Sequence, residues 1–246
     1  MDFSGIQKLR LLSMSTTHSR RAYDHLKSKL ISGELAPGSR ILYGPVGKEL
    51  GISATPVREA IGMLVNEGFV DLVPQLGAVV RKIEREELIE LYEMREALEP
   101  YVAEKAAERM SENNLQILQQ HYLAMQEITQ QVLTGEVDAE DLKTIKAFEE
   151  HDLAFHKTIL DSCGNEIMIR TVENSHVLTR IFSTNRHRYD SELMHATCED
   201  HERILKALLQ GDAIAAQVAM RRHIRNGLEV TLHSSSTNPA DRRWRR

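Results

Sequence analysis

The pattern of apolar residues changes at Glu84, and that change constrains the fold more than any other feature of this chain. From Glu84 to His233 the sequence supports long helices only. We read six of them, at about 85–109, 112–133, 139–162, 165–186, 190–210 and 212–232. The breaks fall at Ser111, Gly135, Gly164-Asn165, Tyr189-Asp190-Ser191 and Gly211-Asp212, short connections that make neighbouring helices antiparallel. Before Glu84 the elements are shorter and mixed. The expected fold is mainly α: a small N-terminal domain followed by an all-helical antiparallel bundle. A chain of 246 residues suits two domains. Aromatic residues at 5% and 13 glycines argue against a β-sandwich or barrel.

The N-terminal part breaks down further. Residues 1–18 read as a flexible tail, with Met14 an alternative start. A helix opens at the Ser19 cap candidate, repeats Ala22, Leu26 and Leu30 at i, i+4, i+8, and stops at Gly33 and Pro37-Gly38. A short helix follows, capped by Gly44 and ended by Gly51. The next, about 54–67, places Val57, Ala60, Ile61, Leu64 and Val65 on one face, with Ser53 or Thr55 as cap and Pro56 in the first turn. Phe69–Val73 and Ala78–Ile83 are β-branched runs around Pro74-Gln75-Leu76-Gly77, a hairpin. Three helices and a hairpin over 19–83 make a winged helix-turn-helix, whose third helix enters the DNA major groove.

Charge agrees with that placement. Residues 1–82 carry a net +4 and residues 234–246, a basic tail expected to be disordered, carry +3; the chain totals −5, which leaves −12 for 83–233. A basic end on an acidic body directs the end toward a polyanion. On the helix over 54–67, Thr55, Glu59, Gly62 and Asn66 point away from the apolar stripe and Arg58 sits at its edge, placed for a phosphate. Gly62 lets the backbone come close. Arg20, Arg21, Lys27, Lys29 and Arg40 are further phosphate candidates, with Arg81 and Lys82 weaker ones.

The segments GISATPVREAI at 51–61 and LVNEGFVDLVPQLGAVV at 64–80 resemble the GntR family of bacterial transcription regulators, through Ser53, Thr55-Pro56-Val57-Arg58-Glu59-Ala60, Glu67-Gly68 and Gly77. The helical body over 84–233 resembles the FCD effector domain of the FadR-like branch. The resemblance implies a homodimer on a two-fold symmetric double-stranded operator. It also implies DNA contacts from Ser53, Thr55, Arg58, Glu59, Gly62, Asn66, Arg40 and the wing glycine Gly77. Two departures stand out: Ala54 where the family usually has arginine, and Leu76 where it often has a basic residue before the wing glycine. Both alter base choice more than phosphate docking.

The helical body carries polar residues where its stripes demand apolar ones. Asp152 and His156 lie one turn apart in the stripe Ile145, Phe148, Phe155, Ile159. His201 interrupts Leu193, Thr197, Leu205 and Leu208; His223 interrupts Ala216, Met220, Gly227 and Val230; Arg95 interrupts Leu88, Leu91, Leu98 and Val102. A lone core histidine is more often hydrogen-bonded than a ligand. An aspartate and three histidines on three helices of one bundle form an O/N donor set for a divalent metal: zinc foremost, with nickel, manganese or iron as alternatives. The FCD resemblance implies the same four ligands, Asp152, His156, His201 and His223.

Open metal positions beside a guanidinium suit a small carboxylate, and the resemblance implies an organic or sugar acid as effector. Arg95 is the expected anchor, against a structural salt bridge as its plain alternative, and Arg180 is a second candidate. His151, His176, His187 and His195 read as surface or outer residues, and Cys163 and Cys198 as plain thiols. Two cysteines form no disulfide framework. No apolar run spans a bilayer and the first 14 residues make a poor signal peptide, so the expected location is the cytoplasm. The leading expectation is an acid-responsive transcription regulator without enzymatic activity. A metalloenzyme with an accessory DNA-binding domain, and a regulator whose metal is purely structural, are the alternatives.

Overall fold

A computed structural model of the protein describes the backbone of residues 3–183 and 190–236 and the side chains of residues 17–179 and 190–233. Its elements in chain order are α1 Phe3–Ile31, β1 Arg40–Ile41, α2 Tyr43–Leu50, α3 Ala54–Asn66, β2 Val70–Val73, β3 Gly77–Val80, α4 Arg85–Arg109, α5 Glu112–Leu133, α6 Leu142–Ser162, α7 Glu166–Ser183, α8 Ser191–Leu209 and α9 Ala213–Ser236. The chain divides into two compact units. One holds the described residues to Glu84 and α7 from Val177; the other holds Arg85–His176 and the described residues from Asp190.

In the first unit, α1 packs on α3 through Ala22, Leu26 and Leu30 against Val57, Ala60, Ile61 and Leu64, all at most 1% exposed. The tight turn between α2 and α3 depends on Gly47. Its carbonyl accepts from the Ile52 amide at 2.9 Å, and a Cβ there would lie 2.8 Å from the Ile52 carbonyl oxygen. β2 and β3 form the wing hairpin, with Gln75 at φ 65° and Gly77 at φ 85° turning the chain.

Two expectations are corrected here. The first helix does not open at Ser19: α1 begins at Phe3, so residues 3–18 are helical rather than a loose tail. Ser19 is 1% exposed, and its hydroxyl donates to the Glu59 carboxylate instead of capping a helix end. The sheet also has a third strand, β1, which pairs antiparallel with β3 to give the order β1-β3-β2. Two residues are too few for a period-2 pattern to register.

In the second unit, α4 packs along α9, α5 lies against both α6 and α8, and α8 contacts α9. The side chains of Leu118, Met125, Phe148, Phe155, Ile159 and Met194 are fully buried between them. Burying each such side chain contributes about 1.5–3 kcal/mol. The helix starts are set by polar caps: Ser111 accepts from the Asn114 amide, Asp141 from Thr144 and Asp190 from Leu193, at 2.8–3.2 Å. The Asp141 cap starts α6 at Leu142 rather than the expected 139. α9 continues to Ser236, three residues into the segment expected to be disordered; the rest of that tail, 237–246, lies outside the described residues.

Candidate metal centre and DNA-binding face

His156 comes from α6, His201 from α8 and His223 from α9, and the three rings converge inside the bundle. His156 Nε2 lies 3.2 Å from His201 Nε2 and 3.2 Å from His223 Nε2. The rings pack as a cluster with centroids 4.8–5.1 Å apart, and His201 stacks on Phe155 at 4.5 Å. His201 is fully buried, His156 is 5% exposed, and the His223 side chain is 14% exposed. Burial pushes the pKa of His156 well down, helped by His223 and His201, and drives those of His201 and His223 down to about 3. All three are neutral imidazoles at physiological pH, the form that ligates metal.

The donor chemistry fits a metal. An sp² ring nitrogen has one lone pair or one hydrogen, along one direction, so His156 Nε2 cannot complete good hydrogen bonds to both neighbours. A cation with metal–nitrogen bonds of about 2.0–2.1 Å requires nitrogens about 2.9–3.4 Å apart, which the two pairs that include His156 match at 3.2 Å, while all three donor atoms lie within 4.8 Å of one another. His201 Nδ1 is buried without a hydrogen-bond partner among the described residues, a cost that a ring turned toward a ligand position accounts for. Among the described residues, the group whose donor atoms all lie within 4.8 Å of one another is His156, His201 and His223. Asp152 stands outside that set but next to it, with Oδ1 3.5 Å from His201 Nε2 and its side chain 26% exposed.

Arg95 is buried in α4 and committed on one side. Its Nε donates to Glu99 Oε1 at 2.6 Å, and its guanidinium lies 4.9 Å from the centre of the Tyr92 ring. The same Glu99 oxygen is 2.7 Å from His176 Nε2, and the His176 ring meets His156 edge-on at 5.4 Å. Burial alone would raise the pKa of Glu99, yet Arg95 and His176 hold it down to about 2. The charge of Arg95 also helps depress both His156 and His223, so the guanidinium and the imidazole cluster share one electrostatic environment. The salt bridge and the anchor position are therefore not exclusive: Glu99 takes Nε, and the two Nη groups make no hydrogen bond to a described residue. The side chain of Arg180 lies outside the described residues, as does His187.

On the DNA-binding unit, Ser53, Thr55, Arg58 and Asn66 are exposed on or before α3, and a Cβ added at Gly62 would meet nothing within 4 Å. Arg58 lies 5.6 Å over the Tyr43 ring. Arg40 is exposed on β1, and Gly77 sits half-buried in the wing. Neither Arg40 nor Arg58 forms an ion pair with a described residue. Glu59 is exposed but tied to Ser19. The other basic candidates are engaged within the unit: Lys27 with Glu67, Lys29 with Glu34 and Glu49, Arg20 with Asp24, and Arg21 with the Leu50 carbonyl.

The FCD domain family matches residues 90–226, more than half of the chain, and the gntR family of bacterial regulatory proteins matches residues 18–80. The chain belongs to the GntR family and carries an FCD domain. It is 27% identical to the transcriptional regulator LutR of Bacillus subtilis, over 81% of this chain and 94% of that one. It is 29% identical to the Exu regulon transcriptional regulator of Escherichia coli K12, over 87% and 85%. The solved structure of E. coli McbR/YncC superposes with a TM-score of 0.73 at 19% identity, covering 89% of this chain and 98% of that one, which is a likeness of fold. GntR regulators are a non-enzymatic class that binds DNA operators, and this chain is a transcription regulator of that class. No helix among the described residues is long and apolar enough to cross a membrane.

Two polar residues of this GntR protein, Glu99 and Asp200, escaped the sequence reading, and a third, His176, was read only as a surface or outer residue. Glu99 is 2% exposed yet looks like one more acid in an acidic helix; its signal is the i, i+4 spacing from Arg95. His176, read as a surface or outer residue, is 9% exposed and bonded to Glu99. Asp200, 5% exposed, accepts from Arg203 at 2.8 Å and Asn226 at 2.6 Å, and its Oδ2 lies 3.9 Å from His223 Nδ1. Both cysteines are buried free thiols.

Proposed function

We propose that this regulator's operator binding is controlled by a small carboxylate held between a divalent metal on His156, His201 and His223, with Asp152 as fourth ligand, and the guanidinium of Arg95. The observation that carries this reading is the convergence of three neutral imidazoles, with His156 Nε2 3.2 Å from the Nε2 atoms of both His201 and His223, in the same bundle as a buried arginine. Three nitrogens and one oxygen suit zinc, with nickel, manganese or iron as alternatives, and when bound the metal supplies a Lewis-acidic position for a carboxylate oxygen. Arg95 orients the acid through its two Nη groups, because a guanidinium fork matches a carboxylate. Glu99 fixes that fork by holding Nε, and His176 fixes Glu99. An acid that binds one conformation of the helical domain better than another shifts the population by that difference. The protein works as a homodimer on a two-fold symmetric operator, and the effector is an organic or sugar acid.

A thermal-shift panel of small organic and sugar acids tests the reading on metal-loaded protein, after chelation, and on Asp152→Ala. The expected result is an acid-specific rise in Tm that disappears in the last two. If no acid shifts the loaded protein while chelation lowers Tm strongly, the metal is structural and the effector assignment fails.

On the DNA side, Ser53, Thr55, Gly62 and Asn66 present the reading face, with Glu59 at its edge, while Arg58, Arg40 and the wing at Gly77 follow the backbone. Arg58→Ala is expected to weaken binding to all duplexes alike and to reduce the slope of log K against log salt by about one unit. Binding measured across a salt series checks this, and an unchanged slope removes Arg58 from the phosphate contacts.

A further inference from the structure

Outside the three-histidine cluster, one other pair of imidazoles meets nitrogen to nitrogen among the described residues. His121 lies in α5 and His151 in α6, on helices that pack against each other. Their Nδ1 atoms are 3.1 Å apart, and their rings are tilted at 45° with centroids 5.4 Å apart. Both side chains are half-buried, and each ring has the other as its hydrogen-bonding neighbour. Neither forms an ion pair with a carboxylate among the described residues.

We propose that His121 and His151 form a second metal site, open to solvent, for a borderline divalent transition metal: copper(II) in preference to nickel or zinc. The separation of 3.1 Å falls inside the range of about 2.9–3.4 Å that two nitrogens require around one metal with bonds of about 2.0–2.1 Å. Two imidazoles with water in the remaining positions make an N,O set that suits tetragonal copper(II), and the order of affinities for such a set places copper above nickel and zinc. Without metal, one Nδ1–H donates to the lone pair of the other Nδ1. On binding, that proton moves through solvent to Nε2 of the same ring, so both Nδ1 lone pairs face the metal and no proton is lost overall. The two neutral tautomers of an imidazole differ in which nitrogen carries the hydrogen, and the partner decides between them.

The site differs from the three-histidine cluster in consequence as well as position. The cluster is enclosed, whereas half-buried His121 and His151 leave a bound ion exposed to water and to chelators. Occupancy of the outer site clamps α5 to α6, the helix that carries Asp152 and His156. The proposal does not rest on the effector reading, since no residue is shared.

Copper(II) titration of the metal-stripped full chain by equilibrium dialysis tests it. His121→Gln and His151→Gln are each expected to bind one equivalent fewer than the unaltered chain, whatever the three-histidine cluster takes up. Equal copper in all three overturns the site and leaves the pair a plain N–H···N hydrogen bond. A second measurement needs no substitution. Substoichiometric copper, added after the cluster is saturated, is expected to broaden the imidazole NMR signals of His121 and His151 before those of the exposed His195 and His233. Simultaneous broadening of all four means adventitious surface binding and overturns the proposal.

Discussion

Replacing His201 with alanine is expected to abolish stoichiometric zinc binding at the three-histidine cluster and, with it, any response to an acid. His201 is fully buried, its Nε2 lies 3.2 Å from that of His156, and Asp152 approaches the same nitrogen at 3.5 Å. No other described side chain is placed to supply the missing donor. Loss of an outer-shell partner typically costs 10–100-fold in metal affinity, so loss of a ligand should exceed about 100-fold. Elemental analysis after dialysis, followed by chelator competition, measures it; full retention of metal would falsify the ligand assignment. Acid provides a companion test on unaltered, metal-free protein. The folded-state pKa values of His201 and His223 are depressed to about 3 from an ordinary 6.5, so between those limits the unfolded chain binds more protons than the folded one. Stability is therefore unaffected above about pH 6.5 and falls as the pH drops from there toward 3. A midpoint of chemical denaturation that stayed flat over that window would mean the imidazoles are not buried neutral.

The histidine cluster was legible in the sequence because helical periodicity makes a polar residue in an apolar stripe conspicuous. Asp152, His156, His201 and His223 each broke a run whose other members are mostly hydrophobic, and three of the four proved to be the imidazoles that meet. Glu99 and Asp200 were not legible by the same rule. Charged residues on amphipathic helices are normally solvated, and only tertiary packing shows that Arg95 and His176 close over one, and Arg203 and Asn226 over the other. The same limit explains Ser19, whose composition says cap and whose packing against α3 says internal donor. The winged helix-turn-helix was legible down to the ends of α3, because Val57, Ala60, Ile61 and Leu64 form its buried face and Ser53 and Gly68 bound it. Strand β1 was not, since its two residues are recruited by the edge of the hairpin and not by their own pattern.

Glu99→Ala is expected to destabilise the helical unit by about 3–5 kcal/mol, because it strands a buried guanidinium without its anion. For a unit of this size that corresponds to a fall in Tm of very roughly 6–20 °C. Glu99→Gln should cost less: it keeps the shape and an oxygen for Arg95 Nε, and loses only the charge. The decisive comparison is the double replacement Arg95→Met with Glu99→Leu, which removes both charges and fills their space with apolar atoms. Such exchanges of a buried ion pair are often neutral or stabilising by about 1–4 kcal/mol. The double variant should therefore recover most of the stability that Glu99→Ala loses, short of the about 1–3 kcal/mol for a buried His176 Nε2 left without its acceptor, and it should still bind metal, since His156, His201, His223 and Asp152 are untouched. It should nevertheless fail to respond to any acid, because the fork that orients the carboxylate is gone. Calorimetric Tm, metal content and acid-induced shift, measured on the same three variants, separate the two roles of the pair. If the double variant still responds to the acid, Arg95 is a structural residue and the acid is held by other groups. If it loses metal as well, the ion pair supports the histidine cluster itself, and stability and effector binding cannot be assigned to different atoms.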